Sequence, residues 1–349
     1  MVIIRPVCSD DLQNIYELAQ KTGGGLTTLP ADKERLMEKI RESEKNFDYK
    51  PSCPRGETYF FVLEDIEQKK VIGTSALYSK VGGFYPFWTY ELKSVVKESK
   101  KLGVCKKVQY LQVKMEHNGP SEVGTLFLDP DYRHSGNGRL LSLSRFLFVA
   151  AYRSCFEDSI VAELRGRIDS EGHSVFWDSI GAHFFNVPFE KADLMVNEDK
   201  HFIDELMPKH PIYVPLLPEE AQRVIGKVHD DTRPAMRLLK SEGFEQIHEV
   251  DIFEAGPILQ ASSDDIRCVK DSKTATLASE AMVAPSEDEK SRLYMVANTT
   301  DIKNYRVAIC QLTQQKNNKV SISSAATEAL DLRAGDELRY VEFRAEVKG

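Results

Sequence analysis

Apolar and polar positions in the first half of the chain repeat at two spacings, one typical of strands and one typical of helices. The pattern predicts strands at 2–5, 58–65, 69–78, 108–115, 122–129 and 159–166. It predicts helices at 12–19, 32–45, 90–103, from about 138 onward, and at 174–185. Helices and strands in this mixed order predict an α/β (α+β) fold with a mixed central sheet flanked by helices.

The pattern changes in the second half of the chain. Helices are predicted at 218–229 and 234–241, followed by a strand at 245–253. After a polar stretch at 270–291, the apolar positions predict short strands at 293–298, 305–312, 319–323 and 337–343, with one helix at 325–330. We therefore predict two domains, a larger one at 1–257 and a smaller β-rich, barrel-like module at 258–349.

Composition restricts the classes of function that the chain can have. Its 349 residues are 42% hydrophobic, enough for a sizeable core, and the longest apolar run, Phe146 to Tyr152, is far too short to span a bilayer. The start lacks a signal-type segment, so we expect a cytoplasmic protein without membrane contact. A net charge of −8 disfavours nucleic-acid binding. Six cysteines without a CxxC pair predict reduced thiols and no metal site.

A loop between a predicted strand and a predicted helix carries the clearest chemical signal. In "DPDYRHSGNGRLL", 129–141, Arg133, Gly136 and Gly138 have the spacing R-x-x-G-x-G. Glycines here let backbone N–H groups turn toward an anion at the helix N-terminus, which suits a pyrophosphate, and Arg133 and Arg139 add positive charge. A turn that only caps the helix remains the alternative. The dinucleotide-binding pattern is not met, because its third glycine would fall at Leu141.

Longer stretches carry a family resemblance. The loop resembles the acyl-CoA-binding segment of the GNAT N-acyltransferase superfamily. "KTGGGLTTLPAD" (21–32), "TLFLDPDYRHSGNGRLLSLSRF" (125–146) and "ELMPKHPIY" (205–213) resemble one family within it, arginine N-succinyltransferase. The resemblance spans most of residues 1–257. It departs from the family at Val175, where proline is usual, and at Gly124, where cysteine is frequent.

The resemblance implies a GNAT-like fold and a reaction. Succinyl would pass from succinyl-CoA to the α-amine of L-arginine, giving N2-succinyl-L-arginine and CoA in the first step of arginine catabolism to glutamate and succinate. Succinyl-CoA is then a co-substrate, no cofactor is expected, and the family is expected to form homo-oligomers or hetero-oligomers with a paralogous subunit. Two alternatives remain: an acyltransferase for ornithine or another acyl-CoA, and a non-catalytic acyl-CoA sensor.

The resemblance also assigns roles to particular residues. Leu126 matches the family's succinyl-CoA contact, and the main chain of Thr125, Leu126 and Phe127 is expected along the pantetheine arm. His229 matches the family's acid/base residue, a proton donor. An imidazole suits this role because it titrates near neutral pH. Without the resemblance, a histidine at a helix end is as well explained by a surface or dipole contact.

Chemistry requires a base as well as an acid, because an α-ammonium has no lone pair with which to attack a thioester. Glu122, just before the loop strand, is the reserve base, with an exposed strand-start glutamate as the alternative. Glu163 is a candidate contact for the substrate's amine or guanidinium, and a structural ion pair with Arg165 is the alternative.

No G-x-S-x-G motif or activated cysteine is present, which favours direct attack over a covalent intermediate. Four lysines with helical spacing are expected on a solvated face or at the CoA 3′-phosphate: Lys93, Lys97, Lys100 and Lys101.

Overall fold

The structure is a computed structural model that describes residues 1–23, 26–169, 171–196, 200–279 and 292–343. The chain forms two compact units built from interleaved segments. The first unit contains Met1–Ser79, Val123–Asp158 and Ser262–Gly349, and the second contains Lys80–Glu122 and Ser159–Ala261. Within the described residues, no helix is both long and apolar enough to cross a membrane.

The bounds of the regular elements follow in chain order. The strands are β1 Val2–Pro6, β2 Thr58–Asp65, β3 Lys70–Tyr78, β4 Gly82–Ser99, β5 Val104–Asn118, β6 Ser121–Leu128, β7 Ser159–Glu163, β8 Ile212–Tyr213, β9 Glu245–Val250, β10 Pro257–Ser262, β11 Lys273–Leu277, β12 Tyr294–Asn298, β13 Arg306–Cys310, β14 Thr313–Gln315, β15 Lys319–Ser321 and β16 Glu337–Glu342. The helices are α1 Leu12–Gln20, α2 Lys33–Phe47, α3 Asn137–Ala151, α4 Val175–Ser179, α5 Gly181–Phe185, α6 Phe189–Met195, α7 His201–Leu206, α8 Glu219–Val224, α9 Arg233–Ser241, α10 Arg267–Lys270 and α11 Ser324–Ala329.

One sheet runs through the first unit, in the order β14-β15-β11-β16-β12-β13-β1-β2-β3-β6. Strand β1 lies between β2 and β13, both antiparallel to it, with Ile4 opposite Leu63 on one side and Val307 on the other. The β-rich C-terminal strands therefore continue the N-terminal sheet. The mixed α/β class is confirmed, whereas the domain boundary near residue 257 stays a prediction.

Helices cover this sheet because each carries an apolar face. The faces of α1 and α2 pack Ile15 and Ile40 into a cluster with Phe60 and Val62 of β2. Helix α3 is buried around almost its whole circumference, as expected for a helix whose core-facing positions run continuously from Leu140 to Val149. Burial fixes α3, and with it the loop that precedes it.

The second unit is built around a long antiparallel hairpin of β4 and β5. Strand β9 pairs antiparallel with β4, β10 pairs antiparallel with β9, and β8 pairs antiparallel with β5. Strand β7 pairs parallel with the first residues of β6, placing Glu122 opposite Val161. Tyr90, Phe176 and Trp177 lie in its core.

Several sequence predictions are wrong here. Residues 90–103 form the end of β4 and a turn, not a lysine-bearing helix, because β5 supplies an antiparallel partner along the whole of β4. The lysines at 93 and 97 therefore lie on a strand, and those at 100 and 101 lie in the turn. The helix predicted at 218–229 ends at Val224, and that at 174–185 divides into α4 and α5 at Ile180.

Candidate functional site

The glycine-bearing loop joins β6 to α3 in the first unit. Asp129 begins it and is 1% exposed. Its carboxylate accepts a hydrogen bond from Lys21 Nζ at 2.6 Å. Burial by itself would raise the Asp129 pKa, but the Lys21 hydrogen bond and the Asp131 amide hold that pKa below its ordinary value. A short 3₁₀ helix, Pro130–Tyr132, follows, so the loop has a fixed start.

Three main-chain amides at the end of the loop have no partner in the part of the chain that the structure describes. The N–H groups of Ser135, Gly136 and Gly138 donate no hydrogen bond to any of the described residues. Ser135 and Gly136 have positive φ values of 54° and 80°, so the chain curls just before α3 begins at Asn137. Unpaired amides at the N-terminus of a long helix form an anion-binding site. The first N–H groups of any helix lack an intrahelical partner, so a turn that only caps α3 stays the alternative.

The backbone conformation requires glycine at only one of the two glycine positions in the loop. Gly136 lies in the left-handed region, and a Cβ there would be 3.1 Å from the Phe343 ring. Gly138 has ordinary helical backbone, and its Cβ would be 3.6 Å from Leu128, which is normal contact. Glycine is therefore needed for conformation at position 136 and not at position 138.

The two arginines of the loop are held against aromatic rings. Arg133 Nε donates to the Leu128 carbonyl at 3.2 Å, and its guanidinium lies 6.0 Å from the centre of the Phe127 ring. The Arg139 guanidinium lies 5.7 Å from the Phe343 ring centre. Both bring positive charge to the loop, and their phosphate contacts stay predictions.

Strand β6 has an irregular backbone at the position where the pantetheine arm is expected. Thr125 has a φ of 51° and is 1% exposed. Its carbonyl accepts from Thr74 Oγ1 at 3.0 Å. Leu126 and Phe127, which follow it, are half-buried. The strand is therefore distorted at Thr125, and Thr74 holds the distortion in place.

Three predicted residues lie together in the second unit. Glu122 pairs in register beside β7, whose last residue is Glu163, and the charge of Glu122 acts on the Glu163 carboxyl. His229 joins the same region because its N–H donates to the Arg165 carbonyl at 2.8 Å. Glu122, Glu163 and His229 thus occupy one neighbourhood of this unit, although they are far apart in sequence.

The ring of His229 is oriented by the turn that follows it. His229 is the N-cap of the 3₁₀ helix Asp230–Thr232, and its Nδ1 accepts from the Asp231 amide at 3.3 Å. When Nδ1 accepts, the neutral ring must carry its hydrogen on Nε2. The side chain is 23% exposed, so Nε2 is able to meet a ligand.

Glu163 ends β7 in an unusually acidic environment. The residue is exposed to solvent on one side and lies against protein atoms on the other. Desolvation by those atoms, with the negative charges of Glu122 and Asp251, raises the pKa of Glu163 well above its ordinary value. The protonated form of this carboxyl group is therefore more favoured than in an ordinary glutamate.

The alternative explanation of Glu163, an ion pair with Arg165, is wrong. Arg165 Nε is instead 3.5 Å from the Glu254 carboxylate, which also accepts from the Gly166 amide at 2.7 Å. Burial raises the pKa of Glu254 to about 8, with Asp251 adding to the effect and Arg165 opposing it. Burial likewise raises the pKa of Asp193 to about 7. Glu163 therefore keeps its carboxylate available for a ligand.

Close backbone contact explains two glycines in this region. A Cβ on Gly166 would be 2.3 Å from the Glu254 carbonyl oxygen, and one on Gly256 would be 2.0 Å from the Leu164 carbonyl oxygen. The segments "ELRG" and "EAGP" can pack this tightly only without side chains at those positions. This packing positions Glu163 and the Arg165 carbonyl that holds His229.

Sequence reasoning missed several polar residues at these sites. Lys39 and Tyr78 hydrogen-bond to the Thr125 side chain, and Asp251 and Glu254 contribute to the acidic environment. Lys39 lies on the polar side of an amphipathic helix, where a charged residue needs no special explanation. Only the long-range fold brings it to β6.

Two family profiles and several full-length relatives match this chain. The profile of the arginine N-succinyltransferase beta subunit family matches residues 2–268, and that of the subunit's C-terminal domain matches residues 279–342. An arginine N-succinyltransferase of Yersinia pseudotuberculosis is 43% identical over 349 residues, with 99% of each chain covered. One of Salmonella schwarzengrund is 43% identical over 350 residues, covering 100% of this chain and 99% of the relative.

A solved structure is similar along the whole chain as well. The arginine/ornithine succinyltransferase subunit AI from Pseudomonas aeruginosa is 31% identical, covers 99% of both chains and has a TM-score of 0.87. The matched family profile and the full-length relatives lead to the same conclusion. The chain belongs to the arginine N-succinyltransferase family.

Proposed function

We propose that this protein transfers the succinyl group of succinyl-CoA to the α-amine of L-arginine, giving N2-succinyl-L-arginine and CoA. The observation that carries the proposal is the set of unpaired amides of Ser135, Gly136 and Gly138 at the start of α3. The full-length relatives that bear the name of this activity support the choice of substrates. Succinyl-CoA acts as a co-substrate, and no separate cofactor is proposed.

The loop binds the diphosphate of the co-substrate chiefly through its amides. A hydrogen bond to a charged group contributes about 1.5–3 kcal/mol, whereas the dipole of α3 contributes about 0.3–1 kcal/mol. Arg133 and Arg139 add charge at the same loop. The pantetheine arm then extends along the main chain of Thr125, Leu126 and Phe127.

The acceptor must lose a proton before it reacts. An α-amino group has a pKa of about 7.7–8.0, so the ammonium form predominates at neutral pH. We assign this proton to Glu163, whose raised pKa makes its carboxylate a stronger base than that of an ordinary glutamate, and to its neighbour Glu122. The same negative charge favours binding of a cationic amino acid.

The succinyl group is then transferred by direct attack of the amine on the thioester. The amine lone pair attacks the thioester carbon, the C–S bond breaks and an amide C–N bond forms. The departing thiolate takes a proton from the imidazolium form of His229, and the Asp231 carboxylate, 3.8 Å from Nδ1, stabilises that charged form. The ammonium loses two protons in all: one goes to the carboxylate pair before attack, and the second, released as the amide forms, returns to His229, so charge and protons balance without an acyl-enzyme.

A thiol-release assay tests the proposal and distinguishes it from the two alternative functions. Thiol release is measured with succinyl-CoA and acetyl-CoA as donors, and with L-arginine and L-ornithine as acceptors. The proposal predicts the highest kcat/KM for succinyl-CoA with arginine. Faster release with ornithine assigns a different acceptor, and release that no acceptor accelerates indicates an acyl-CoA sensor.

Assembly into homo-oligomers or hetero-oligomers stays a prediction, which light scattering of the purified chain tests.

A further inference from the structure

A cationic cluster lies beside the distorted part of β6 in the first unit. Lys39 of α2 donates from Nζ to Tyr78 Oη at 2.9 Å, to Thr125 Oγ1 at 3.1 Å and to the Thr28 carbonyl at 2.7 Å. The two hydroxyl groups are 2.8 Å apart. Three separate segments therefore converge on one ammonium group.

The cluster has more donors than acceptors. The ammonium carries three hydrogens and the two hydroxyl groups one each. The three Lys39 contacts use the ammonium hydrogens, and the contact between Tyr78 and Thr125 uses one hydroxyl hydrogen. One hydroxyl hydrogen is left with no acceptor among the described residues. Thr28 Oγ1 also lacks a hydrogen-bond partner there. Such a surplus suits a ligand that only accepts.

The positive charge of the cluster has no counter-ion within the described ranges. All acceptors of Lys39 are neutral, and no carboxylate of the described residues pairs with it. The ammonium instead lies 5.2 Å from the Phe60 ring centre and 5.3 Å from that of Tyr78, where aromatic faces favour a cation. Lys39 and Tyr78 are half-buried, so the charge is shielded but reachable. An unpaired cation in this position is stabilised further by an anionic ligand.

We propose that Lys39, with the hydroxyl groups of Tyr78 and Thr125, binds the distal carboxylate of the acyl group and so selects a dicarboxylic acyl donor. This inference rests on the proposed function, because it adds the residue that distinguishes succinyl from neutral acyl groups. Thr125 belongs to the strand along which the pantetheine arm is expected, and that arm ends in the thioester. A four-carbon acyl group reaches only a few ångströms past its carbonyl, so its carboxylate must find its cation close to this strand.

Arg145 of α3 is the competing cation near the same strand. It is 2% exposed and donates to the Ser142 carbonyl, the Ser142 hydroxyl and the Gly124 carbonyl. A guanidinium so enclosed has no open side toward a ligand. Lys39 therefore fits the carboxylate better, and Arg145 serves to join α3 to β6.

Binding of unreactive analogues tests the assignment without any turnover. S-(3-carboxypropyl)-CoA and S-butyl-CoA differ only in a carboxylate for a methyl group, and their dissociation constants are measured by calorimetry. The wild-type chain is expected to bind the carboxylate analogue about 10- to 100-fold more tightly. Lys39→Met removes most of this preference while leaving the Kd of S-butyl-CoA within about threefold. Tyr78→Phe, which keeps the ring, reduces the preference less.

A matched control uses another lysine of the same helix. Lys33 is exposed, bonds to Gln13 and lies over the Tyr16 ring, away from β6. Lys33→Met is expected to bind both analogues like the wild type. If the wild type does not distinguish the analogues, or if Lys39→Met weakens both equally, the assignment is wrong. The proposed function fails separately, when arginine does not accelerate thiol release from succinyl-CoA by the wild-type chain.

Discussion

Replacing Gly136 by alanine tests the anion-binding loop at a single atom. Gly136 has a φ of 80°, a conformation that costs a residue with a Cβ about 1–2 kcal/mol. The added methyl group would also lie 3.1 Å from Cζ of Phe343, so the ring must shift by a few tenths of an ångström. The loop relieves this strain by leaving the curled conformation, which turns its amides away from the ligand.

The expected effect follows from that energy. A cost of about 1–2 kcal/mol paid only in the binding-competent conformation weakens CoA affinity by about 5- to 30-fold. Gly138→Ala is the matched control, because Gly138 has helical backbone and its Cβ would meet Leu128 at an ordinary 3.6 Å. Calorimetric titration with CoA measures both variants. Wild-type affinity in Gly136→Ala, or a greater loss in Gly138→Ala, would refute the reasoning.

Three further predictions concern catalysis and stability. His229→Ala should lower kcat at least about 100-fold with CoA affinity unchanged; equal turnover in a thiol-release assay would remove His229 from the chemistry. The folded-state pKa of Glu254, about 8, lies above its unfolded value, so its contribution to stability is present below about pH 4 and is lost as pH rises to about 8. Glu254→Gln, which can still accept from the Gly166 amide, should therefore raise the free energy of unfolding near pH 8.5, on the order of 3 kcal/mol; urea unfolding that shows no gain at that pH contradicts the sign. Gly256→Ala should destabilise the chain by more than about 3 kcal/mol, since its Cβ would lie 2.0 Å from the Leu164 carbonyl oxygen; a urea midpoint like that of the wild type would show that this backbone contact is not close.

The sequence predicts those parts of the fold where local pattern and tertiary structure agree. Strand β6, the loop and α3 were predictable because a strand pattern, Gly136 and a continuous apolar run each indicate the same boundary. Helix α2 was predictable because Asp32 caps it and its apolar positions repeat at helical spacing. Local and global signals reinforce each other in these segments.

The hairpin of β4 and β5 was not predictable in the same way. Its lysines happen to fall at helical spacing, and only pairing with the distant partner strand makes the segment extended. The end of α8 at Val224 could not be predicted from the sequence for a similar reason. The chain leaves the helix to let Val228 bridge to Gly166 and His229 bond to the Arg165 carbonyl, and both partners are remote in sequence.

In the candidate sites, too, features with a local sequence signal were predictable and features that depend on long-range contacts were not. Gly136 and Gly138 were visible as a local motif, whereas the acceptor of Arg165 was assigned to Glu163 when it is Glu254. Residues two apart share a face only within a strand, and β7 ends at Glu163, so Arg165 is free to turn toward Glu254. Lys39 gave no local signal, because its significance depends on contacts with β3 and β6.

The central claim is that the amides before α3 hold the diphosphate of an acyl-CoA. A crystal structure with bound CoA tests it most directly. The account predicts diphosphate oxygens within hydrogen-bonding distance of the main-chain N–H groups of Ser135, Gly136 and Gly138. A nucleotide bound at another place, with these three amides still in solvent, would contradict it.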